Sequence, residues 1–368
     1  MIPYSTQYIE DDDLQAVLSA LKQEYITQGS LVGAFEQKIA NFVGAKYAIT
    51  FNSATSALNV AYKIINSLDL PKLKEFITTP ITFCATSNMM LENQIKPIFC
   101  EINSIGNIDT KSITKHITNK TRAIVSIDYA GNSVDIDEIL KICKENKLYF
   151  ISDSSHSFSG EYKGKRIGQF ADMSIFSFHA LKPITTIEGG AITTNNKSFY
   201  DKAKLLRSHG VKKKKLWDSD IENIGYNFRL SDVASSLGIS QLNKVESFLK
   251  KRRMIAKIYN NAFKNNDKFS ILEIPKHIKS TYHLYPILLD KSLFKYKKKI
   301  FLKLQSMGLG VQVHYKPIYQ FSLYKDYSNI KNADDFYNAE ISIPCHQKMQ
   351  DSDIEYVIDS IFKTLKDY

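Results

Sequence analysis

A lysine set among hydroxyls, a histidine and apolar side chains carries the strongest chemical signal in this sequence. It is Lys182, in Ser177-Phe-His-Ala-Leu-Lys182-Pro-Ile-Thr-Thr-Ile-Glu-Gly-Gly-Ala191. The chain is rich in lysine, so residue type alone means nothing; the neighbours Phe178, Leu181 and Pro183 single this one out. An amine stripped of hydration has a lowered pKa, which suits it to hold an aldehyde as a Schiff base and, once released, to move a proton. Asp153 closes the apolar run Leu148-Tyr-Phe-Ile-Ser-Asp153. A carboxylate there can pair with a protonated ring nitrogen, although Asp at a strand end is more commonly a cap or turn residue. Asn52-Ser-Ala-Thr-Ser56 leads into a helical pattern and so offers free N–H groups and hydroxyls to an anion. Taken alone, that stretch reads first as a plain helix cap.

An aldehyde-holding amine, an anion for a ring nitrogen and a nest of phosphate donors are together what pyridoxal phosphate (PLP) requires. Ser177 adds a further hydroxyl. His156, three residues after Asp153, is either a loop histidine or a neighbour of the ring. Phe83 is either a core aromatic or a cover for the open ring face.

The elements that must position these residues alternate. Tyr47–Phe51 reads as a strand, and further strands are expected at 76–79, 97–101, 122–127, 148–153, 173–178 and 191–194. Helical patterns fall between several of them, as at Leu58, Ala61 and Ile65 or Ile136, Ile139 and Leu140. Such alternation predicts an α/β fold with a mostly parallel sheet, in which ligands bind at the carboxyl ends of strands. An opening helix is read from Leu14, Val17, Leu18 and Leu21, behind Asp11–Asp13 at its positive end. The character shifts near Ser231: a long helix through Val233, Leu237, Ile239, Leu242 and Phe248 leads, with the change placed around residues 235 to 250, into a smaller α+β domain. The expected division is 1–240 and 241–368. The second domain is expected to hold strands at Tyr285–Leu289 and Val311–His314, and a last helix capped by Asp351 or Ser352.

The 368 residues suit two domains. No apolar run approaches the roughly 18 residues that span a membrane. The first residues lack the basic and apolar regions of a signal peptide. Cys84, Cys100, Cys143 and Cys345 make no CxxC pair or metal spacing, so a reducing cytoplasm is the expectation. The net charge of +11 is almost all lysine. Base readers and phosphate clamps favour Arg for its bidentate fork, so nucleic-acid binding is discounted. The runs Lys212–Lys215 and Lys297–Lys299 are expected to be solvated surface.

SFHALKPITT-x-EGG around Lys182, SDSSH around Asp153, NSATSAL at 52–58, TTPITF at 78–83 and GYNFRLSD at 225–232 together resemble the DegT/DnrJ/EryC1/StrS sugar aminotransferases. The likeness spans essentially the whole chain. It continues through Tyr4-Ser5, the turn Ile26-Thr-Gln-Gly29, Val125–Gly131, His283-Leu-Tyr-Pro286, Val311–Pro317 and Ile343–His346.

The resemblance implies a fold-type I PLP enzyme that moves an amino group from glutamate to C4 of a UDP-linked 4-keto-6-deoxy-N-acetylhexosamine. It implies that Lys182 forms the Schiff base, Asp153 holds the pyridine nitrogen and His156 sits by the ring. Ala54, Thr55 and Ser177 would hold the cofactor phosphate, with Asn227 reaching in from the neighbouring subunit of a homodimer. Tyr4 and the turn Glu24, Tyr25, Ile26 and Thr27 would line the sugar pocket, with Gln312, Val313, His314 and Tyr315. Ile187, where the wider family often has Gly, is expected to narrow that pocket.

Another 4-aminotransferase of the family, for a different UDP-, GDP- or dTDP-sugar, stays open as a reading. The family's sugar dehydratases replace the Schiff-base lysine with His, and Lys182 argues against them. A lysine-rich anion or nucleic-acid binder would explain the charge but leave Lys182 and Asp153 as coincidence.

Overall fold

A computed structural model describes residues 1–68 and 74–368. Its centre is a seven-stranded sheet of β1 (Tyr47–Phe51), β2 (Lys74–Thr78), β3 (Ile95–Phe99), β4 (Thr121–Ile127), β5 (Tyr149–Asp153), β6 (Met173–Ser177) and β7 (Gly190–Thr194). The order across the sheet is β1-β7-β6-β5-β4-β2-β3. β2 to β6 pair in parallel, and β7 runs antiparallel to both of its neighbours. The expected mostly parallel sheet is what the chain forms.

Period-2 alternation feeds two cores. Phe150, Ile124, Phe176, Ala191 and Ala48 face one side, with Phe35 and Ile39 of the helix Ser30–Val43. Ile151, Ala123, Ile175, Ile192 and Ile49 face the other, against Leu58, Ala61 and Ile65 of the helix Ala54–Asn66. With both faces covered, the ends of the strands are where side chains meet solvent.

The long helix Asp232–Phe263 is continuous through residue 240. Leu242, Val245, Phe248 and Leu249 pack on the large core, whereas Ile255, Ala256, Tyr259 and Phe263 pack on a second core. That second core lies beneath a three-stranded antiparallel sheet, Phe269–Ile271, Tyr285–Leu289 and Glu340–Ile343, and the last helix Asp351–Leu365. The first strand of the chain, Ile2–Pro3, pairs with Leu309–Gly310, so the N-terminus lies against the C-terminal half. Among the described residues no helix is long and apolar enough to cross a membrane.

Several local expectations are corrected. In the opening helix Asp11–Leu21 the inward residues are Asp13 and Ala20, while Leu14, Leu18 and Leu21 are exposed. Asp13 is tolerated inside because Gln241 Nε2 and Lys244 Nζ donate to its Oδ2 at 2.8 and 2.7 Å. Val311–His314 is not a strand; it contributes one bridge, Gln312 to Ser342. The last helix is capped by Gln350, whose N–H donates to Asp353 Oδ2 at 2.8 Å, not by Asp351 or Ser352. Lys212–Lys215 is exposed, as expected, in a hairpin with Asp218–Ile221, and Lys212 and Lys214 pair with Glu222 and Asp220. Lys297 is half-buried and donates to the Tyr337 carbonyl.

Candidate active site

The carboxyl ends of β5 and β6 and the N-terminus of the helix Ala54–Asn66 meet around one cavity of about 410 Å³. Ser53 caps that helix: the Ser56 N–H donates to Ser53 Oγ at 3.1 Å. The N–H groups of Ala54 and Thr55, in the first turn, have no intrahelical acceptor, and both residues line the cavity. Gly190 lets the helix come this close to the sheet. A Cβ there would sit 2.5 Å from the Ala54 nitrogen. Ser177, at the end of β6, lines the same corner.

Asp153 ends β5 and is buried. Thr86 Oγ1 donates to its Oδ2 at 2.7 Å, and Ser155 donates to Oδ1 through Oγ at 2.5 Å and through its N–H at 3.2 Å. These bonds fix the carboxylate plane at the cavity wall.

Lys182 lines the same cavity, half-buried, with Nζ 3.4 Å from His283 Nε2. Burial lowers its pKa to about 8, opposed by the charge of Asp153 and assisted by that of Arg252. The loop carrying it is tied down: Ser5 Oγ donates to the Leu181 carbonyl at 2.8 Å. Arg252, fully buried on the long helix, donates to the carbonyls of Cys345 (2.6 Å) and Tyr282 (3.1 Å) and to Gln347 Oε1 (2.9 Å). Arg252 thus places a cation behind Lys182 with no acidic partner at hydrogen-bond distance among the described residues.

The His156 and His283 rings meet at 4.4 Å between centroids, tilted 46° to one another, and His156 Nε2 lies 3.0 Å from Tyr315 Oη. Burial pushes both histidines well below their ordinary pKa, with the charge of Lys182 adding to the effect. The Nδ1 atoms of both are buried without a partner among the described residues. Phe83 lines the cavity 60% exposed, which removes the reading of it as a core aromatic.

The cavity brings together Lys182, Asp153, His156, Ser177, Ala54, Thr55, Phe83, Tyr4, His314 and Tyr315. It does not include Glu24, Tyr25, Ile26, Thr27, Asn227, Gln312 or Val313 of the same chain. The 24–27 turn is fastened elsewhere. Asp232, at the start of the long helix, donates its N–H to the Ile26 carbonyl at 3.0 Å, and its carboxylate accepts the N–H groups of Gly29 and Leu31 just beyond the turn at 2.7 and 2.9 Å. Ile187 is 66% exposed and does not line the cavity of its own chain. Thr86 and His283 are cavity residues that the sequence reading gave no role. His283 stood in a motif, His283-Leu-Tyr-Pro286, but nothing local marks which histidine faces a lysine a hundred residues away.

The residues present fit PLP. An open helix N-terminus, a strand-end carboxylate held in plane and a desolvated lysine amine face one volume, and two buried ring nitrogens there lack partners.

Fold and site together describe an aminotransferase framework, and comparison with known proteins agrees. The chain belongs to the DegT/DnrJ/EryC1/StrS aminotransferase family, whose pattern matches residues 7–362. It is 47% identical, over 100% of its length and 98% of the relative's, to the UDP-4-amino-4,6-dideoxy-N-acetyl-beta-L-altrosamine transaminase of Campylobacter jejuni (strain 81-176). It is similar, at 44% identity and a TM-score of 0.96 with both chains fully covered, to the structure of Helicobacter pylori PseC, an aminotransferase involved in the biosynthesis of pseudoaminic acid. The PLP form of the putative sugar aminotransferase Spr1654 from Streptococcus pneumoniae superposes with a TM-score of 0.94 at 25% identity, over 100% of this chain and 99% of that one.

Proposed function

We propose that this protein is a PLP-dependent transaminase that moves an amino group from glutamate to C4 of a UDP-linked 4-keto-6-deoxy-N-acetylhexosamine. The product is UDP-4-amino-4,6-dideoxy-N-acetyl-β-L-altrosamine, an intermediate on the way to pseudaminic acid. The observation that carries the reading is the meeting of Lys182, Asp153 and the open helix N-terminus in one cavity, in a chain 47% identical end to end to a protein of that name.

Bound there, PLP supplies an aldehyde that carries the amino group and a ring that takes up the electron pair of a deprotonated carbon. Ala54 and Thr55 N–H and the Ser177 hydroxyl would hold its phosphate. Asp153, aligned by Thr86 and Ser155, would hold the ring nitrogen. Lys182 would hold the aldehyde and, once released, act as base. Lowered to about 8, its amine is unprotonated in a useful fraction near neutral pH, and Nζ takes the Cα proton of glutamate. The same amine delivers a proton to C4 of the sugar in the second half-reaction. The nucleotide contributes remote binding energy that orients the C4 ketone beside Lys182.

We also propose a homodimer. Asn227 and the 24–27 turn do not face the cavity of their own chain, so a partner's copy would complete the site. Incubation with 15N-glutamate and the 4-keto sugar, followed by mass spectrometry, tests the reaction. The heavy nitrogen is expected in the nucleotide sugar. Its absence, with transfer to a GDP- or dTDP-linked ketosugar instead, would reassign the substrate.

A further inference from the structure

His314 is a cavity residue whose two ring nitrogens have different surroundings. Nδ1 lies 2.8 Å from Ser342 Oγ, away from the cavity. Ser342 Oγ in turn donates to Glu340 Oε1 at 2.5 Å, and both residues are fully buried. The other oxygen of Glu340 accepts the backbone N–H of His314 at 2.7 Å, and the His314 carbonyl accepts the Tyr129 hydroxyl at 2.6 Å. Nε2 has no protein partner among the described residues and is not among their fully buried unpaired atoms. It therefore opens on the cavity that His314 lines.

A hydroxyl has one proton. If Ser342 gives it to Glu340, its oxygen can only accept from His314, which places the imidazole proton on Nδ1 and a lone pair on Nε2. The polarity of the relay is thus set by Glu340. Burial raises that carboxyl to about 7; Ser342, the Lys297 ammonium, the His314 N–H and Tyr129 all favour its ionised form. His314 itself is kept neutral by burial and by the charge of Lys182.

We propose that Glu340 and Ser342 are positioning residues that present His314 Nε2 to the cavity as a hydrogen-bond acceptor, and that Nε2 recognises a donor on the sugar, a hydroxyl or an acetamido N–H. The sugar half of this rests on the functional reading above; the tautomer does not. An acceptor at this point selects for a sugar carrying O–H or N–H there and leaves a buried lone pair unpaired with a deoxy analogue, a discrimination that apolar contact cannot supply.

Glu340→Gln reverses the relay on this account. The amide oxygen keeps the His314 N–H, and its NH2 donates to Ser342. Ser342 must then donate to Nδ1, moving the imidazole proton to Nε2. The test is a long-range 1H–15N correlation spectrum of 15N-histidine-labelled protein at pH 8.5, with the His314 signals assigned by their loss in His314→Gln. Wild-type protein is expected to carry the His314 proton on Nδ1, Glu340→Gln on Nε2, and Ser342→Ala to lose the single preference, with Ser342→Thr restoring it. Wild-type protein with the proton on Nε2, or the same pattern in every variant that folds, overturns the proposal.

Calorimetry reads the sugar half with UDP-N-acetylglucosamine and UDP as probes. Glu340→Gln is expected to weaken the first roughly tenfold and leave the second unchanged. Equal affinities in wild type and variant overturn the contact. Wild-type protein that binds neither probe overturns the functional reading and the contact together, while the tautomer stands or falls on the spectra.

Discussion

Thr86 Oγ1 donates to Asp153 Oδ2 at 2.7 Å, joining the helix that follows β2 to the carboxylate at the end of β5. Thr82 Oγ1 lies 2.9 Å from Thr86 Oγ1 and continues the chain of hydroxyls. A carboxylate aimed by a threonine is worth more to a ring nitrogen than one free to rotate, because the ordering cost is met before the ligand arrives. Thr86→Val keeps the shape and removes the donor. It is expected to weaken PLP binding about tenfold in a fluorescence titration, with Thr86→Ser restoring it. Unchanged affinity in Thr86→Val would separate Asp153 from this support.

Ile187 occupies a left-handed conformation, φ 72°, in the loop after Lys182. A β-branched residue is strained there, and its exposed side chain has little burial to offset the cost. Ile187→Gly is expected to raise stability by about 1 kcal/mol in urea unfolding. A loss of stability would show that the side chain makes contacts worth more than the strain.

The pH dependence of stability follows from buried bases held neutral. His314 is lowered to about 3 and His346 to about 4, with burial the main cause. The unfolded chain therefore binds more protons below about pH 6.5, and stability falls as pH drops from there toward 4 and 3. Lys182 acts at the other end. Without cofactor, the folded amine is neutral above about 8 while the unfolded one stays charged to about 10.5, so stability rises with pH across that window. Lys182→Met should therefore be more stable than the cofactor-free wild type at pH 7, and the gain should vanish above about pH 10.5. Urea titrations at a series of pH values read both limbs; a Lys182→Met gain that does not change with pH contradicts the charge argument.

Trp217 is the sole tryptophan and sits 82% exposed at the tip of the hairpin, beside Leu216 at 96%. Large apolar side chains at such a tip are costly in water unless a partner covers them. On the proposed homodimer, indole emission is expected to be blue-shifted at micromolar protein and to move red on dilution, in step with dissociation seen by sedimentation. A dimer whose emission stays that of a solvated indole would place the interface elsewhere.

How much was legible in the sequence depended on the range of the signal. The strands carrying Asp153 and Ser177 and the helix cap before Ala54 are local patterns, and they stand where periodicity put them. Residues acting through long-range contacts left no such mark. Thr86 meets Asp153 across 67 positions, Lys182 meets His283 across 101, and Arg252 reaches Ser5 across 247. Periodicity even misled in the opening helix, where Leu14, Leu18 and Leu21 suggested an inward face. The face that turns in carries Asp13, paired with Lys244 and Gln241 of the long helix. A pattern of leucines shows which face avoids water, not whether this chain or another covers it.

We propose that Lys182 and Asp153 form one working site with PLP. The direct measurement is the visible absorption spectrum of protein loaded with PLP, before and after glutamate, in wild type, Lys182→Ala and Asp153→Asn. Wild-type protein is expected to be yellow, to bleach with glutamate and to recover its colour on adding the UDP-linked 4-keto sugar. Lys182→Ala is expected to show no such band, and Asp153→Asn to bleach at least about a hundredfold more slowly. A wild-type protein that stays colourless with added PLP, or a Lys182→Ala protein that cycles like wild type, would contradict it.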